Sequence, residues 1–118
     1  MEVTQYLDIY KGKKVLVTGH TGFKGSWLVL WLSLLGADVV GYALDPATEK
    51  DNFVLSDAGN HLAEDCRGDI NDRDRFNAVF ETHQPDMVFH LAAQPIVLAG
   101  FDDPHYTHET NIMGTVTV

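Results

Sequence analysis

Three glycines that follow an apolar segment constrain the fold of this chain more than any other feature. Residues 15–18 (VLVT) run directly into Gly19, Gly22 and Gly25, and an apolar, helix-forming stretch begins at once. At this spacing, the first glycine permits a tight turn, the second lets a phosphate approach the backbone, and the third lets a helix pack closely on a strand. The free N–H groups of the first helical turn, at the positive end of the helix dipole, then favour an anion. The spacing therefore predicts a site for a dinucleotide pyrophosphate.

The sequence around the glycines has the order that a dinucleotide-binding unit requires. Residues 13–18 predict a buried strand, and residues 23–35 predict an apolar helix that ends at Gly36. Residues 38–44 predict a second strand, which is followed by the acidic residue Asp45. A strand, a helix, a second strand and a carboxylate about 20 residues further on together make the motif far more specific than three glycines alone.

Two other interpretations of the glycine loop remain open. It is compatible with a glycine-rich turn that binds no ligand. It also resembles the P-loop that binds nucleoside triphosphates. A P-loop needs a glycine immediately before its lysine so that the lysine projects over the phosphates. Here Lys24 precedes Gly25, so the order is reversed. The dinucleotide interpretation is therefore favoured over a nucleoside triphosphatase.

The rest of the chain alternates between strand and helix patterns. We predict a turn-rich loop with one short helix over residues 46–61 and a short strand over residues 62–68. An amphipathic helix is predicted over residues 72–83 and a further strand over residues 86–93. A final helix is predicted to start at a proline and to cover residues 104–118. This alternation predicts an α/β fold with a parallel sheet and helices on both faces. Since the pattern stops within a helix, we expect residues 1–118 to be the N-terminal part of a single domain.

Composition excludes several classes of partner. The formal net charge of −9 disfavours nucleic acid and anionic membranes as partners, because it repels polyanions. The longest apolar run, residues 27–35, is too short to cross a bilayer, and the N-terminus lacks a basic region before an apolar core. The single cysteine, Cys66, permits no internal disulfide and fits a reducing cytoplasm.

Five segments resemble the extended short-chain dehydrogenases/reductases in order and approximate spacing. They are residues 18–27 (TGHTGFKGSW), 41–46 (GYALDP), 68–72 (GDIND), 89–95 (FHLAAQP) and 110–115 (TNIMGT). Within that family, His20, Lys24 and Trp27 are similar to the CDP-glucose 4,6-dehydratases. The resemblance implies a Rossmann-type parallel sheet, of which this chain supplies the N-terminal half, and NAD as the cofactor.

The resemblance also implies which residues contact NAD. The carboxylate of Asp69 would accept a hydrogen bond from the adenine amino group and the amide of Ile70 would meet the ring, although Asp69 is also compatible with a helix cap. The segment after the fourth strand would lie beside the ribose and phosphates. The expected cofactor-binding residues are Gly19, His20, Thr21, Gly22, Phe23, Lys24, Gly25, Asp45, Asp69, Ile70, Leu91, Ala92 and Ala93.

Asp45 is the candidate for the adenosine ribose. In NAD-using relatives, the strand-end carboxylate would fall at Ala43, so Asp45 lies two residues further into the loop, within reach of the 2′-hydroxyl. No arginine occurs between Gly41 and Glu49 to neutralise a 2′-phosphate, which favours NAD over NADP.

The histidines permit alternative roles. His20 would either line the cofactor or pack in the core, and His90 is expected to be a hydrogen-bonded core residue. His105 and His108 lie three residues apart beside Glu109, a spacing that permits metal chelation, but no further ligand supports it. We therefore expect surface histidines there and no metal site.

The resemblance implies a reaction whose catalytic residues lie outside this chain. In the family, NAD oxidises C4 of a nucleotide-linked hexose, water leaves from C6, and the hydride returns to C6, with a tyrosine–lysine pair from a later segment moving the proton. We assign no catalytic residue here and expect the chain alone to lack turnover. Asn111 is a candidate for a supporting role, or for helix stabilisation.

Several functional alternatives remain open from the sequence. The family pattern after Gln94 usually includes an arginine and a serine–tyrosine pair, where this chain has Leu98 and Gly100-Phe101. The expected partner is a nucleotide sugar, with a homo-oligomer as the full-length assembly. An epimerase, a dehydratase for another nucleotide and a non-enzymatic NAD-binding sensor are the alternatives.

Overall fold

The parallel sheet forms the centre of the molecule. The structure is a computed structural model that describes residues 4–118. These residues contain the strands β1 (Lys14–Thr18), β2 (Asp38–Ala43), β3 (Glu64–Arg67) and β4 (Met87–His90). The described sheet has the order β3-β2-β1-β4, and every neighbouring pair is parallel. At the carboxyl end of β1, Thr18 is in register with Tyr42 on one side and His90 on the other.

Helical segments connect the strands. They are α1 (Thr4–Leu7), α2 (Phe23–Leu34), α3 (Asn52–Leu55), α4 (Arg73–His83), α5 (Val97–Asp102), α6 (Pro104–His108) and α7 (Gly114–Thr117). Short 3-10 turns cover Asp8–Tyr10 and Ala58–His61, and a π-helical turn, Glu109–Met113, joins α6 to α7. The side chains of Asp72 and Asp103 accept hydrogen bonds from the first turns of α4 and α6.

Two apolar clusters cover the two faces of the sheet. One joins β1 and β2 to α2 through side chains that include Val15, Val17, Val29 and Leu32. The other, on the opposite face, contains Leu16, Val40, Tyr42, Ile70 and Phe76, the last of which belongs to α4. Alternate residues of β1 thus enter opposite clusters, as the two-sided burial of a parallel strand requires. The predicted Rossmann-type α/β fold is confirmed.

The predicted elements agree with the structure except near β4 and in the final helix predicted over residues 104–118, which the π-helical turn divides into α6 and α7. The strand predicted over residues 86–93 ends at His90, so Leu91, Ala92 and Ala93 lie beyond the sheet. The amide of Leu91 donates to both the backbone carbonyl and the hydroxyl oxygen of Thr18. The amide of Ala92 donates to the hydroxyl oxygen alone, so regular pairing of β4 with β1 stops here. The short helix α5, which follows, was not predicted.

The helix α2 is only half covered. Gly25, Ser26, Val29 and Leu32 are buried against the sheet, whereas the opposite face carries large exposed side chains that include Phe23, Trp27, Trp31 and Leu34. The prediction of a fully buried helix is wrong for this second face, because a helix that is apolar all round needs neighbours on two sides and the described residues supply the sheet on one.

Candidate functional site

A cleft of about 710 Å³ lies at the carboxyl edge of the sheet. It is lined by the glycine loop, the ends of β2 and β3, the segment after β4, and α6 with the turn that follows it. The lining residues are Gly19, Thr21, Gly22, Phe23, Lys24, Gly25, Tyr42, Ala43, Leu44, Ala47, Gly68, Asp69, Ile70, Leu91, Ala92, Ala93, Gln94, Pro95, Ile96, Tyr106 and Thr110. This is the edge at which open parallel sheets bind ligands. All of the predicted cofactor-binding residues except His20 and Asp45 are among them.

The glycine loop is too tightly folded to admit side chains at two of its three glycines. Gly19 has a φ of +76°, and a Cβ there would lie 2.8 Å from the amide nitrogen of Ala92. A Cβ on Gly25 would overlap the carbonyl oxygen of Gly19. Gly22 has more room, since its added Cβ would meet one neighbour, the Gly19 oxygen, at 3.3 Å. Gly19 and Gly25 therefore fix the fold of the loop, whereas Gly22 leaves the cleft side of the loop open.

The start of α2 faces this cleft without a side-chain cap. Gly22 is the N-cap residue, and the first hydrogen bond of the helix runs from the amide of Ser26 to the carbonyl of Gly22. The preceding amides, at Phe23, Lys24 and Gly25, have no acceptor within the helix, because the first turn of any α-helix leaves its N–H groups unpaired. With Lys24 beside them, these amides make a positively polarised surface of the kind that binds phosphate.

Thr18 joins the ends of β1 and β4 beneath the cleft. Its hydroxyl oxygen accepts hydrogen bonds from the amides of Leu91 (3.0 Å) and Ala92 (3.1 Å) and lies 2.7 Å from Nδ1 of His90. With two donors already on the oxygen, the hydroxyl proton is directed to Nδ1 of a neutral imidazole. Burial lowers the pKa of His90, which favours that neutral form. The predicted core role of His90 agrees with these contacts.

We expect Thr18→Val to destabilise the protein by about 2 kcal/mol. Valine keeps the shape of threonine, but it leaves the amide of Ala92 without its acceptor and Nδ1 of His90 without its donor. Urea denaturation measures the change in the free energy of unfolding. The matched control is Thr82→Val on the exposed side of α4, which we expect to change stability by less than about 0.5 kcal/mol; equal effects of the two variants would contradict a special role for Thr18.

Asn111 holds the segment after β4 from the other side. Its Oδ1 accepts a hydrogen bond from the amide of Gln94 at 2.8 Å, and its Nδ2 donates to the carbonyl of Gln94 at 3.2 Å. The Gln94 side chain in turn donates to the hydroxyl of Thr107. Asn111 is absent from the cleft lining, so its supporting role, one of the two that the sequence left open, stays a prediction and would act through the backbone of Gln94.

Three hydrogen bonds hold Asp69 in the cleft lining. Its Oδ1 accepts a hydrogen bond from the amide of Asn71 (2.9 Å), and its Oδ2 accepts one from the hydroxyl of Tyr106 (3.0 Å). Its backbone carbonyl accepts a third from the buried hydroxyl of Tyr42 (2.8 Å). Burial raises the pKa of Tyr42 to about 12, so this hydroxyl remains a donor. Asp72, not Asp69, caps α4.

The predicted role of His20 needs correction. Its side chain is fully buried and points away from the cleft, with Nε2 2.7 Å from Oδ1 of Asp65 and the ring edge-on to Phe53. Burial lowers the pKa of His20, and the carboxylate of Asp65 opposes that shift without reversing it. Of the two roles that the sequence left open, packing in the core is the one the geometry supports. Gly41 makes it possible, since a Cβ there would overlap the ring.

The predicted contact of Asp45 with the adenosine ribose stays a prediction. Asp45 lies outside the cleft lining, its side chain is 82 % exposed, and its Oδ1 is 2.6 Å from Nη1 of Arg67. The same guanidinium forms two hydrogen bonds with Asp65, both of 2.9 Å. Although partial burial acts in the opposite direction, the hydrogen bonds from Arg67 and His20 lower the pKa of Asp65. Asp45 thus belongs to an ion-pair cluster at the ends of β2 and β3.

His105 and His108 are exposed on α6. Nδ1 of His105 lies 3.8 Å from a carboxylate oxygen of Glu109, and Nδ1 of His108 lies 2.7 Å from the carbonyl of Pro104. Among residues 4–118 we find no cluster of three or more histidine, cysteine, aspartate or glutamate side chains that is able to hold a metal ion. Cys66 is a half-buried free thiol, and burial raises its pKa.

One Tyr-x-x-x-Lys spacing occurs in the chain, from Tyr10 to Lys14. It is not positioned for chemistry in the cleft. Tyr10 ends a 3-10 turn and its ring lies 6.2 Å from that of Phe89, while Lys14 is the first residue of β1. Both residues therefore lie toward the amino end of the strands, and the cleft is at the carboxyl end.

Sequence reasoning missed three residues that shape the site. Thr18, Tyr42 and Tyr106 hold the cleft walls through their hydroxyl groups. The available signal was position: Thr18 and Tyr42 stand at the ends of the first two predicted strands. Tyr106 lies in the first turn of a helix that follows the fourth strand. Each faces the carboxyl edge where a parallel sheet binds ligands.

Comparison with known proteins places the chain among nucleotide-sugar-modifying enzymes. The family model described as GDP-mannose 4,6 dehydratase matches residues 16–118. The CDP-glucose 4,6-dehydratase of Salmonella typhimurium is 48% identical over 109 residues, which cover 92% of this chain and 30% of that protein. The chain therefore spans about 30% of the length of this curated relative.

Solved structures have the same fold. An epimerase from Methanothermobacter thermautotrophicus superposes with a TM-score of 0.78 and 31% identity, over 98% of this chain and 33% of that one. A UDP-glucose 4-epimerase from Brucella ovis, solved in complex with NAD, superposes with a TM-score of 0.70 and 31% identity, over 90% of this chain and 30% of that one. In residues 4–118 we find no helix with the length and apolar character that a membrane span needs.

Proposed function

Since the chain belongs to the GDP-mannose 4,6-dehydratase family, whose members are nucleotide-sugar dehydratases and related epimerases, we propose that its cleft binds NAD and serves a nucleotide-sugar 4,6-dehydratase. The observation that carries the proposal is the geometry of the glycine loop. It leaves backbone amides open toward the cleft at the start of α2 and excludes side chains from two glycine positions behind them.

The residues present fit NAD along the length of the cleft. The amides at the start of α2, with Lys24, would hold the pyrophosphate. Asp69 would accept a hydrogen bond from the adenine amino group, since two of the four acceptor positions of its carboxylate remain after the bonds from Asn71 and Tyr106. The small side chains of Ala92 and Ala93 leave room beside the ribose and phosphates. Asp45, paired with Arg67, stands nearer the surface and would approach the cofactor from the ribose end.

When bound, NAD supplies a hydride acceptor for oxidation of a sugar alcohol. The role of this chain is to bind and orient it. The cluster of Asp45, Asp65 and Arg67 holds two carboxylates against one guanidinium, which leaves it negative and unfavourable to a 2′-phosphate. We therefore propose NAD in preference to NADP.

We expect Gly22→Val to raise the dissociation constant for NAD by at least about 100-fold, because its side chain fills the space through which the pyrophosphate reaches the helix amides. Gly22 has a φ of −75° and a ψ of 172°, extended geometry that valine adopts readily. Folding should therefore survive, with the free energy of unfolding within about 1 kcal/mol of the wild-type value.

Calorimetric titration with NAD and urea denaturation measure the two effects of Gly22→Val separately. Gly22→Ala, a smaller intrusion, should have an intermediate effect on affinity. Binding of NAD by Gly22→Val with wild-type affinity, or failure of the wild-type chain to bind NAD, would contradict the proposed cofactor site. Magnesium-dependent binding of ATP that is lost in Lys24→Ala would instead support the P-loop interpretation.

For the substrate, we propose CDP-glucose, converted to a 4-keto-6-deoxy product by the complete enzyme. The support is the 48% identity to a CDP-glucose 4,6-dehydratase and the resemblance of residues 18–27 to that group. Turnover of CDP-glucose, dTDP-glucose and GDP-mannose by a polypeptide that extends this chain to the length of its relatives tests the preference. A cytoplasmic location, where a free thiol such as Cys66 persists, is part of the same proposal.

A further inference from the structure

The hydroxyl of Tyr106 contacts a carboxylate that belongs to a different part of the fold. Tyr106 lies in α6, and Asp69 lies in the loop after β3, 37 residues earlier in the chain. The distance from the Tyr106 hydroxyl oxygen to Oδ2 of Asp69 is 3.0 Å, and both residues line the cleft. A hydrogen bond from a neutral donor to a carboxylate is among the stronger side-chain contacts in proteins. It therefore fixes the orientation of the carboxylate.

The position of Tyr106 is itself well defined. The amide of Tyr106 donates to Oδ1 of Asp103 at 3.0 Å, which caps the start of α6. At the start of α7, beyond the π-helical turn, Gly114 packs so closely on Ile70 that an added Cβ would lie 2.9 Å from the Ile70 side chain. These contacts anchor the helical segment on the same loop that carries Asp69. Tyr106 thus reaches Asp69 from a support that does not depend on a ligand.

Three hydrogen bonds together leave Asp69 little freedom. Tyr42 holds its backbone carbonyl, the amide of Asn71 holds Oδ1, and Tyr106 holds Oδ2. Burial raises the pKa of Tyr106, and the bond to Asp69 adds to that effect, so the hydroxyl keeps its proton at neutral pH. Of the three, Tyr106 alone places a side-chain hydroxyl on the carboxylate.

We propose that Tyr106 is a positioning residue for purine recognition. It orients the Asp69 carboxylate so that the remaining lone pairs of the carboxylate oxygens accept a hydrogen bond from the exocyclic amino group of adenine. This inference rests on the proposed binding of NAD. It predicts selectivity for a purine that carries an amino donor at C6. A purine with an oxygen there, as in hypoxanthine, presents an acceptor to the carboxylate and is disfavoured.

The test compares NAD with nicotinamide hypoxanthine dinucleotide, which differs from NAD at the C6 substituent of the purine. Dissociation constants are measured by calorimetry for the wild-type chain and for Tyr106→Phe, which removes the hydroxyl and keeps the ring. We expect Tyr106→Phe to weaken NAD binding by about threefold to tenfold and to leave binding of the hypoxanthine analogue within about twofold. The ratio of the two dissociation constants, which measures the preference for adenine over hypoxanthine, should therefore fall.

The matched control is Tyr6→Phe, a change at an exposed tyrosine of α1, which we expect to alter neither constant. Equal weakening of both dinucleotides by Tyr106→Phe would assign Tyr106 to general packing and overturn the proposal. An unchanged preference for NAD would overturn it as well. If the wild-type chain binds neither dinucleotide, the proposed function itself fails, and that outcome is distinct from a wild-type protein that binds NAD without a Tyr106-dependent preference.

Discussion

Gly25→Ala should destabilise the protein by about 3 kcal/mol or more, the upper range for forcing an atom into a closely packed site. The added Cβ would overlap the carbonyl oxygen of Gly19 and lie 2.8 Å from both the Gly19 carbonyl carbon and the Cα of His20. All three are backbone atoms, so no side-chain rotation relieves the overlap. We therefore expect a lower midpoint in urea denaturation and loss of NAD binding in the same variant.

The surrounding structure explains why the loop is unable to move aside. The amide of Gly19 donates to the carbonyl of Tyr42 at 2.9 Å, which fixes the loop to the end of β2. On its other side, Gly19 abuts the amide of Ala92 so closely that it has no room for a Cβ of its own. Displacement of Gly19 by α2 would therefore disturb the contacts of β1 with both of its neighbouring strands.

Gly100→Ala is the matched control for Gly25→Ala. Gly100 also lies in a helix, α5, but the nearest atom to its added Cβ would be 3.7 Å away, an ordinary van der Waals distance. Alanine has the higher helix propensity, so this variant should be neutral or stabilised by up to about 1 kcal/mol. A Gly25→Ala protein as stable as Gly100→Ala would show that α2 does not require close packing on the glycine loop.

The fold was predictable because its determinants are local. The strand β1, the glycine turn and α2 follow one another within residues 14–34, and their apolar pattern and glycine spacing specify them without reference to distant residues. The start of α6 is similar, since Asp103 and Pro104 stand at the cap and first helical positions. Local determinants of this kind also placed most of the predicted cleft residues on one edge of the sheet.

The errors arose where a side chain meets residues far away in sequence. The early end of β4 depends on the hydroxyl of Thr18, which is 73 residues from Leu91. The ion pair of Asp45 with Arg67, 22 residues later, is another contact that no local pattern indicates. Such pairings form only when the sheet brings the ends of its strands together, so a pattern within one segment does not reveal them. The hydroxyl contact of Tyr106 with Asp69 escaped prediction for the same reason.

His20 gives the clearest test of such a long-range pairing. Its ring occupies the space over Gly41 in β2, where an added Cβ would overlap the ring atoms. Because the ring is fully buried between Gly41, Phe53 and Asp65, it has no open direction in which to move. We expect Gly41→Ala to cost about 2–3 kcal/mol, as overpacking of a core does.

Gly41→Ala should destabilise the protein much less when the imidazole of His20 is absent. His20→Ala alone removes the contact with Asp65 and leaves a cavity, which should destabilise the protein by about 2 kcal/mol or more. In the double variant, the methyl group that Gly41→Ala introduces enters part of that cavity instead of overlapping a ring. The combined loss of stability should therefore be smaller than the sum of the two single losses by about 1–3 kcal/mol.

Urea denaturation of the wild type, both single variants and the double variant measures this coupling energy. A coupling of the expected sign means that the histidine in the glycine loop and the glycine in β2 form one packing unit, and it explains why His20 contributes to the core instead of the cleft. Additive losses would contradict the buried position of the His20 ring. A double variant less stable than the sum would point instead to Asp65, which then loses its imidazole partner while β2 is also distorted.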